Sequence, residues 1–62
     1  MYHTDTTVQL VGARVVVTGT SKSEVNGQAG FVVGADEDTG RYTVELDNGS
    51  SFKLRPANVR RL

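Results

Sequence analysis

Residues 40–54, GRYTVELDNGSSFKL, limit what this chain can fold into more than any other stretch. Two arms of alternating polar and apolar residues flank Asp47-Asn48-Gly49, the strongest short-range signal for a β-hairpin. Tyr42, Val44 and Leu46 share one parity, so one side of the ribbon faces a core and the other faces water. A two-residue turn at Asn48-Gly49 would set Val44 opposite Lys53 and drive Phe52 to the wet face. A three-residue loop over Asp47, Asn48 and Gly49 sets Leu46 opposite Ser50, Val44 opposite Phe52 and Tyr42 opposite Leu54. Because a one-residue slip exchanges the two faces, the second register is the expected one. It places Gly49 at the left-handed position of such loops, where a missing Cβ removes the steric penalty. On the outer face Glu45 and Lys53 then form a diagonal pair.

Sixty-two residues make one domain, close to the size below which a chain struggles to bury enough surface. There is no cysteine, so neither a disulfide nor a thiolate metal site can reinforce it. Seven basic and seven acidic side chains leave no formal net charge. A module that relies on neutralising phosphates usually carries a basic excess, so this balance weighs against that use. No apolar run approaches the roughly 18 residues of a membrane span, and residues 1–7 lack the basic and apolar regions of a signal peptide. A soluble intracellular domain, or a fragment of a longer protein, is the expectation.

In chain order, residues 1–7 read as a frayed polar tail and residues 8–62 as the folded unit. Val8, Leu10 and Val11 open the ordered region. Residues 13–18, ARVVVT, are rich in β-branched side chains and bounded by glycines, a strand whose apolar run implies partial cover on both faces. Residues 19–27 form the longest loop, with Val25 its one aliphatic side chain. Residues 29–35, AGFVVGA, form a second strand whose glycines predict a bend or bulge. Asp36-Glu37-Asp38-Thr39-Gly40 is an acidic turn into the hairpin. Pro56 and Asn58 predict one turn of 3-10 helix, and residues 59–62 a closing strand with Val59 inward. Five short strands without an amphipathic helix predict an all-β, five-stranded, SH3-like partly open barrel.

Four pieces in order, GARVVV at 12–17, NGQAGFV at 26–32, GRYTVEL at 40–46 and LRPANV at 54–59, resemble a KOW-like, SH3-type barrel repeat. The resemblance covers residues 12–62 and implies the small barrel just described. KOW proteins of the nucleic-acid-binding kind are usually much more basic. Signalling SH3 domains grip proline-rich ligands with a Trp, and this chain has none.

Catalysis needs a nucleophile with a base, or paired acids, held in a cleft. The sole histidine, His3, lies in the polar tail, so no catalytic residue is assigned and an enzyme is not expected. The run Asp36-Glu37-Asp38 lacks the spacing of a calcium loop and reads as a solvated turn; no metal or cofactor is assigned. Tyr42 and Phe52 read as core, and Phe31 and Tyr2 as the aromatics able to reach the surface. The leading expectation is a non-enzymatic interaction module that takes a protein or peptide partner at the 19–27 loop and the neighbouring strand. Its candidate surface is Phe31, Val33, Arg41, Arg55, Arg60 and Arg61. The alternatives are RNA binding through Arg14, Arg41, Arg55, Arg60 and Arg61, and a structural or self-associating subunit. Arg41 and Arg55 face each other one step beyond Tyr42 and Leu54, with Asp36, Glu37, Asp38 and Glu45 in reach to neutralise them.

Overall fold

The computed structural model describes residues 10–62; the expectations for residues 1–7, Val8 and the side chains of Tyr2 and His3 lie outside them. Five strands form one antiparallel sheet: β1 (Arg14–Val17), β2 (Ala29–Asp36), β3 (Arg41–Leu46), β4 (Ser51–Leu54) and β5 (Val59–Arg61). One 3-10 turn, Pro56–Asn58, precedes β5. No helix among the described residues is long and apolar enough to cross a membrane. The expected all-β, five-stranded architecture is what forms, with β1 and β2 bounded within one or two residues of the sequence reading.

The strand order, β4-β3-β2-β1-β5, puts β4 and β5 at opposite edges. In a flat sheet those edges would stand roughly 19 Å apart, four spacings of about 4.8 Å. Only Arg55 to Asn58 separates Leu54 from Val59 in the chain. Even fully extended, that link spans at most about 18 Å, and a 3-10 turn within it shortens it by several ångströms. The sheet must therefore curl until its edges approach, giving an open barrel. Packing agrees: Val59 of β5 and Val44 of β3 belong to one buried cluster, with Phe52 and Leu54 of β4 packed against it.

The hairpin takes the three-residue register. Tyr42 pairs with Leu54, Val44 with Phe52 and Glu45 with Ser51. The Leu46 N–H donates to the Ser50 carbonyl at 2.7 Å and the Gly49 N–H to the Leu46 carbonyl at 2.9 Å. Gly49 has φ +94°, the left-handed value that the loop demands. Tyr42, Val44 and Leu46 are buried, whereas Phe52, read as core, is only half-buried. The reason is that β4 is an edge strand, with a neighbour on one side only.

Between β2 and β3 the expected bulge falls at Val33. Val32 pairs with Val44, but Gly34 rather than Val33 pairs with Thr43. The extra residue restores the alternation, so that Ala35 meets the inward Tyr42 and Asp36 meets the outward Arg41. Val33 is thereby left exposed. Gly30 has a different role: a Cβ there would lie 2.8 Å from the Leu46 Cα and against the Glu45 carbonyl oxygen. Its missing side chain is what lets β2 and β3 approach.

Val25 is a core residue that the loop reading did not foresee; it is buried with Val15, Val17 and Val59. The Gly27 N–H donates to the Val17 carbonyl at 2.7 Å and the Val17 N–H to the Gln28 carbonyl at 2.9 Å. These bonds pull the end of the loop onto β1 and seat Val25 in the barrel.

Candidate interaction site

The outward positions of β3 and β4 form three cross-strand rows. Glu45 and Ser51 make the first, Thr43 and Lys53 the second. One step past Tyr42 and Leu54, Arg41 and Arg55 follow. All three cations, Arg41, Lys53 and Arg55, are exposed and line both a depression that Asp36 also lines and a second one toward the 19–27 loop. The register places Lys53 outward as surely as the two arginines, yet sequence reasoning did not count it as a site residue. Its membership follows from parity alone and could have been found that way.

The opposite rim of this second depression comes from the 19–27 loop: Gly19, Thr20 and Ser21 line it together with Leu54 and Asn58. That rim is built rather than slack. Asn26 Oδ1 accepts the Thr20 N–H at 2.9 Å and the Thr20 hydroxyl at 2.8 Å, while Asn26 Nδ2 donates to the Thr20 carbonyl at 3.0 Å. At its base the Thr18 N–H donates to the Asn58 carbonyl at 2.9 Å, and Asn58 Nδ2 donates back to the Thr18 carbonyl at 3.0 Å. Lys22 lies 5.7 Å from the Phe52 ring centre, a cation–π contact that ties the loop to β4. The loop thus stands against β4 and the 3-10 turn. Phe31 and Val33 of β2, expected beside this loop, line neither of the depressions that Arg41, Lys53 and Arg55 share.

Phe31 belongs to a second group. Arg14 lies 4.9 Å over its ring centre and is fixed there by two 2.7 Å hydrogen bonds to Asp47. These bonds hold the Asp47 carboxyl below the ordinary carboxylate range and raise the Arg14 guanidinium above its own. Arg14 is therefore already matched with a carboxylate, and the expected five-arginine surface loses one member. Arg60 and Arg61 are exposed on β5, which pairs with β1. They line none of the depressions that Arg41 and Arg55 share.

Of the acidic residues expected near the cluster, Asp36 pairs with Arg41 across β2 and β3 and lines the same depression. Among the described residues Arg14–Asp47 is the one ion pair, so Glu45 and Lys53 form no bridge. Asp36 is the carboxylate nearest Arg41 in the register, but its Oδ1 accepts the N–H groups of Asp38 at 3.0 Å and Thr39 at 3.4 Å. It caps its own turn. No three of His, Cys, Asp or Glu are grouped as a metal site requires among the described residues.

No family model, curated protein or solved structure matches the chain.

Proposed function

We propose that this chain is a non-enzymatic interaction module, an SH3-type barrel with KOW-like spacing, that binds a segment of a protein partner. The segment lies between the 19–27 loop and the β3–β4 ribbon. The observation that carries this reading is the preorganised rim: the hydrogen-bonded Thr20–Asn26 loop stands against Leu54, Asn58 and three cations that have no ion partner among the described residues. A rigid, charged, open cleft suits an extended polypeptide, because little conformational entropy is lost by the receptor on binding. A small-molecule enzyme would instead want an enclosed pocket with paired acid and base groups.

The test is titration of isotope-labelled protein with a synthetic peptide library that contains basic, acidic and phosphorylated members. Binding at this site moves the amide signals of Thr20, Ser21, Lys53, Leu54 and Arg55. Saturable shifts confined to Phe31 and Val33, or none with any member, would remove the proposed site.

A further inference from the structure

The cleft carries more information than its sign of charge. Arg41 and Arg55 follow directly from the Tyr42–Leu54 pair, and Lys53 shares their outward face. Like charges set across a strand pair repel, and neighbouring acids normally relieve them. Here the nearest acid is engaged in its own turn, as Asp36 holds the N–H groups of Asp38 and Thr39. A chain with no net charge thus gathers three cations at one point, with Asp36 the one carboxylate lining the same depression and no ion pair to any of the three among the described residues. Two guanidinium groups and an ammonium group around one depression suit a compact group with more than one negative charge and several acceptor oxygens.

The surroundings decide how far that charge extends. The adjoining depression is lined by Asp36, Glu37 and Asp38, with Thr43 and Gly34, and it shares Lys53 and Asp36 with the cationic one. A strand of nucleic acid carries a phosphate at every nucleotide and needs cations along its track. Leaving the cluster in this direction, it would run onto three carboxylates. A single localised anion with a basic neighbour meets no such repulsion.

We infer that the Arg41–Lys53–Arg55 cluster is a phosphoryl-recognition site for a phosphorylated peptide, and that the adjacent Asp36–Asp38 turn selects a Lys or Arg beside the modified residue. This rests on the reading of the cleft as a peptide site. The phosphate places its oxygens among the two guanidinium groups and the Lys53 ammonium. The basic neighbour of the phosphorylated residue lies over the acidic turn.

The experiment compares three forms of one degenerate peptide set built around a central serine flanked by lysine: phosphorylated, unmodified, and with glutamate in place of the serine. A single-stranded RNA oligomer and inorganic phosphate run alongside. The phosphorylated set is expected to bind at least about tenfold more tightly than either of the others, shifting the amides of Arg41, Lys53 and Arg55. Arg41→Ala with Arg55→Ala should abolish that advantage while the thermal midpoint stays within a few degrees. Replacing Asp36, Glu37 and Asp38 by their amides should remove the preference for lysine over glutamate flanks. Equal affinity for phosphorylated and unmodified peptides at the same amides would overturn the inference and leave the peptide site standing. Tight RNA binding with steep salt dependence, or no binding by any probe, would overturn both. A response to inorganic phosphate equal to that of the phosphopeptide would reduce the cluster to a non-selective anion site and also end the inference.

Discussion

Arg14 holds Asp47 by two parallel hydrogen bonds of 2.7 Å while its guanidinium lies 4.9 Å over the ring of Phe31. The contact joins β1, β2 and the tip of the β3–β4 hairpin on the outside of the barrel. It is a planar fork meeting a planar carboxylate, a geometry that lysine cannot reproduce. Both side chains remain partly open to solvent, at 40% and 53%, so salt will weaken the pair.

A pH dependence follows. The folded state depresses the pKa of Asp47, so the stabilisation it brings is complete above the unfolded carboxyl value of about 3.9. It is lost as pH falls through the lower, folded value. Arg14, shifted upward, would lose its share only at strongly alkaline pH. Urea melts of the protein and of Asp47→Asn should differ at neutral pH and converge only as the pH falls below the depressed, folded-state value of Asp47. A gap that persists unchanged into acid would mean that the charge on Asp47 contributes nothing.

Gly30 and Gly34 sit in the same strand but should respond oppositely to alanine. A Cβ on Gly30 would meet backbone atoms of Glu45 and Leu46, neither of which can rotate away. Gly30→Ala should destabilise by about 1–3 kcal/mol, a large share of what a domain this small possesses. At Gly34 the nearest atom to an added Cβ is the Thr43 Cβ at 4.0 Å, an ordinary contact. Gly34→Ala should be neutral or stabilising by up to about 1 kcal/mol, because it restricts the unfolded chain. Chemical denaturation of the two variants decides it, and comparable losses would place the close approach of β2 and β3 elsewhere.

The difference between what the sequence made legible and what it hid follows the range of each interaction. The hairpin was readable because parity, Asp47-Asn48-Gly49 and the need to bury Phe52 with Val44 all act within 15 residues. The bulge at Val33 and the turn at Pro56 were readable as glycine and proline punctuation. Arg14–Asp47 was not, since it joins positions 33 apart and depends on which strands become neighbours. Val25 was hidden for a related reason: one valine in a polar loop has no periodicity, and it is the backbone bonds of Val17 with Gly27 and Gln28 that carry it inward. At the site, Arg41 and Arg55 were legible from the register, but not that Gly19, Thr20 and Ser21 share a depression with them. The loop's partner is decided by Asn58, which anchors it to the 3-10 turn.

Gly49 offers a direct test of the hairpin loop. With φ at +94° and nothing within 4 Å of an added Cβ, the site limits backbone conformation rather than space. Gly49→Val should therefore cost at least about 1 kcal/mol, and Gly49→Asn clearly less, because asparagine tolerates left-handed conformations. Thermal melts of both variants would show the order. Equal losses would point to crowding at the tip instead.

The cationic cluster should also be visible in stability. Arg41 and Arg55 are like charges flanking the end of the β3–β4 ladder, with Lys53 on the same face and no ion pair to any of them among the described residues. Cross-strand charge pairs change stability by roughly 0.2–1 kcal/mol, favourably or unfavourably according to sign. Arg55→Glu turns the repulsion into attraction and should raise the thermal midpoint by about 1–5 °C at low salt, given the steep dependence of midpoint on free energy in domains of this size. The gain should shrink in high salt, where such interactions are screened. The same variant should lose phosphopeptide binding, so stability and recognition would move in opposite directions. A midpoint that falls on Arg55→Glu would show instead that Arg55 is held by contacts the barrel needs, and that the cluster is scaffold rather than site.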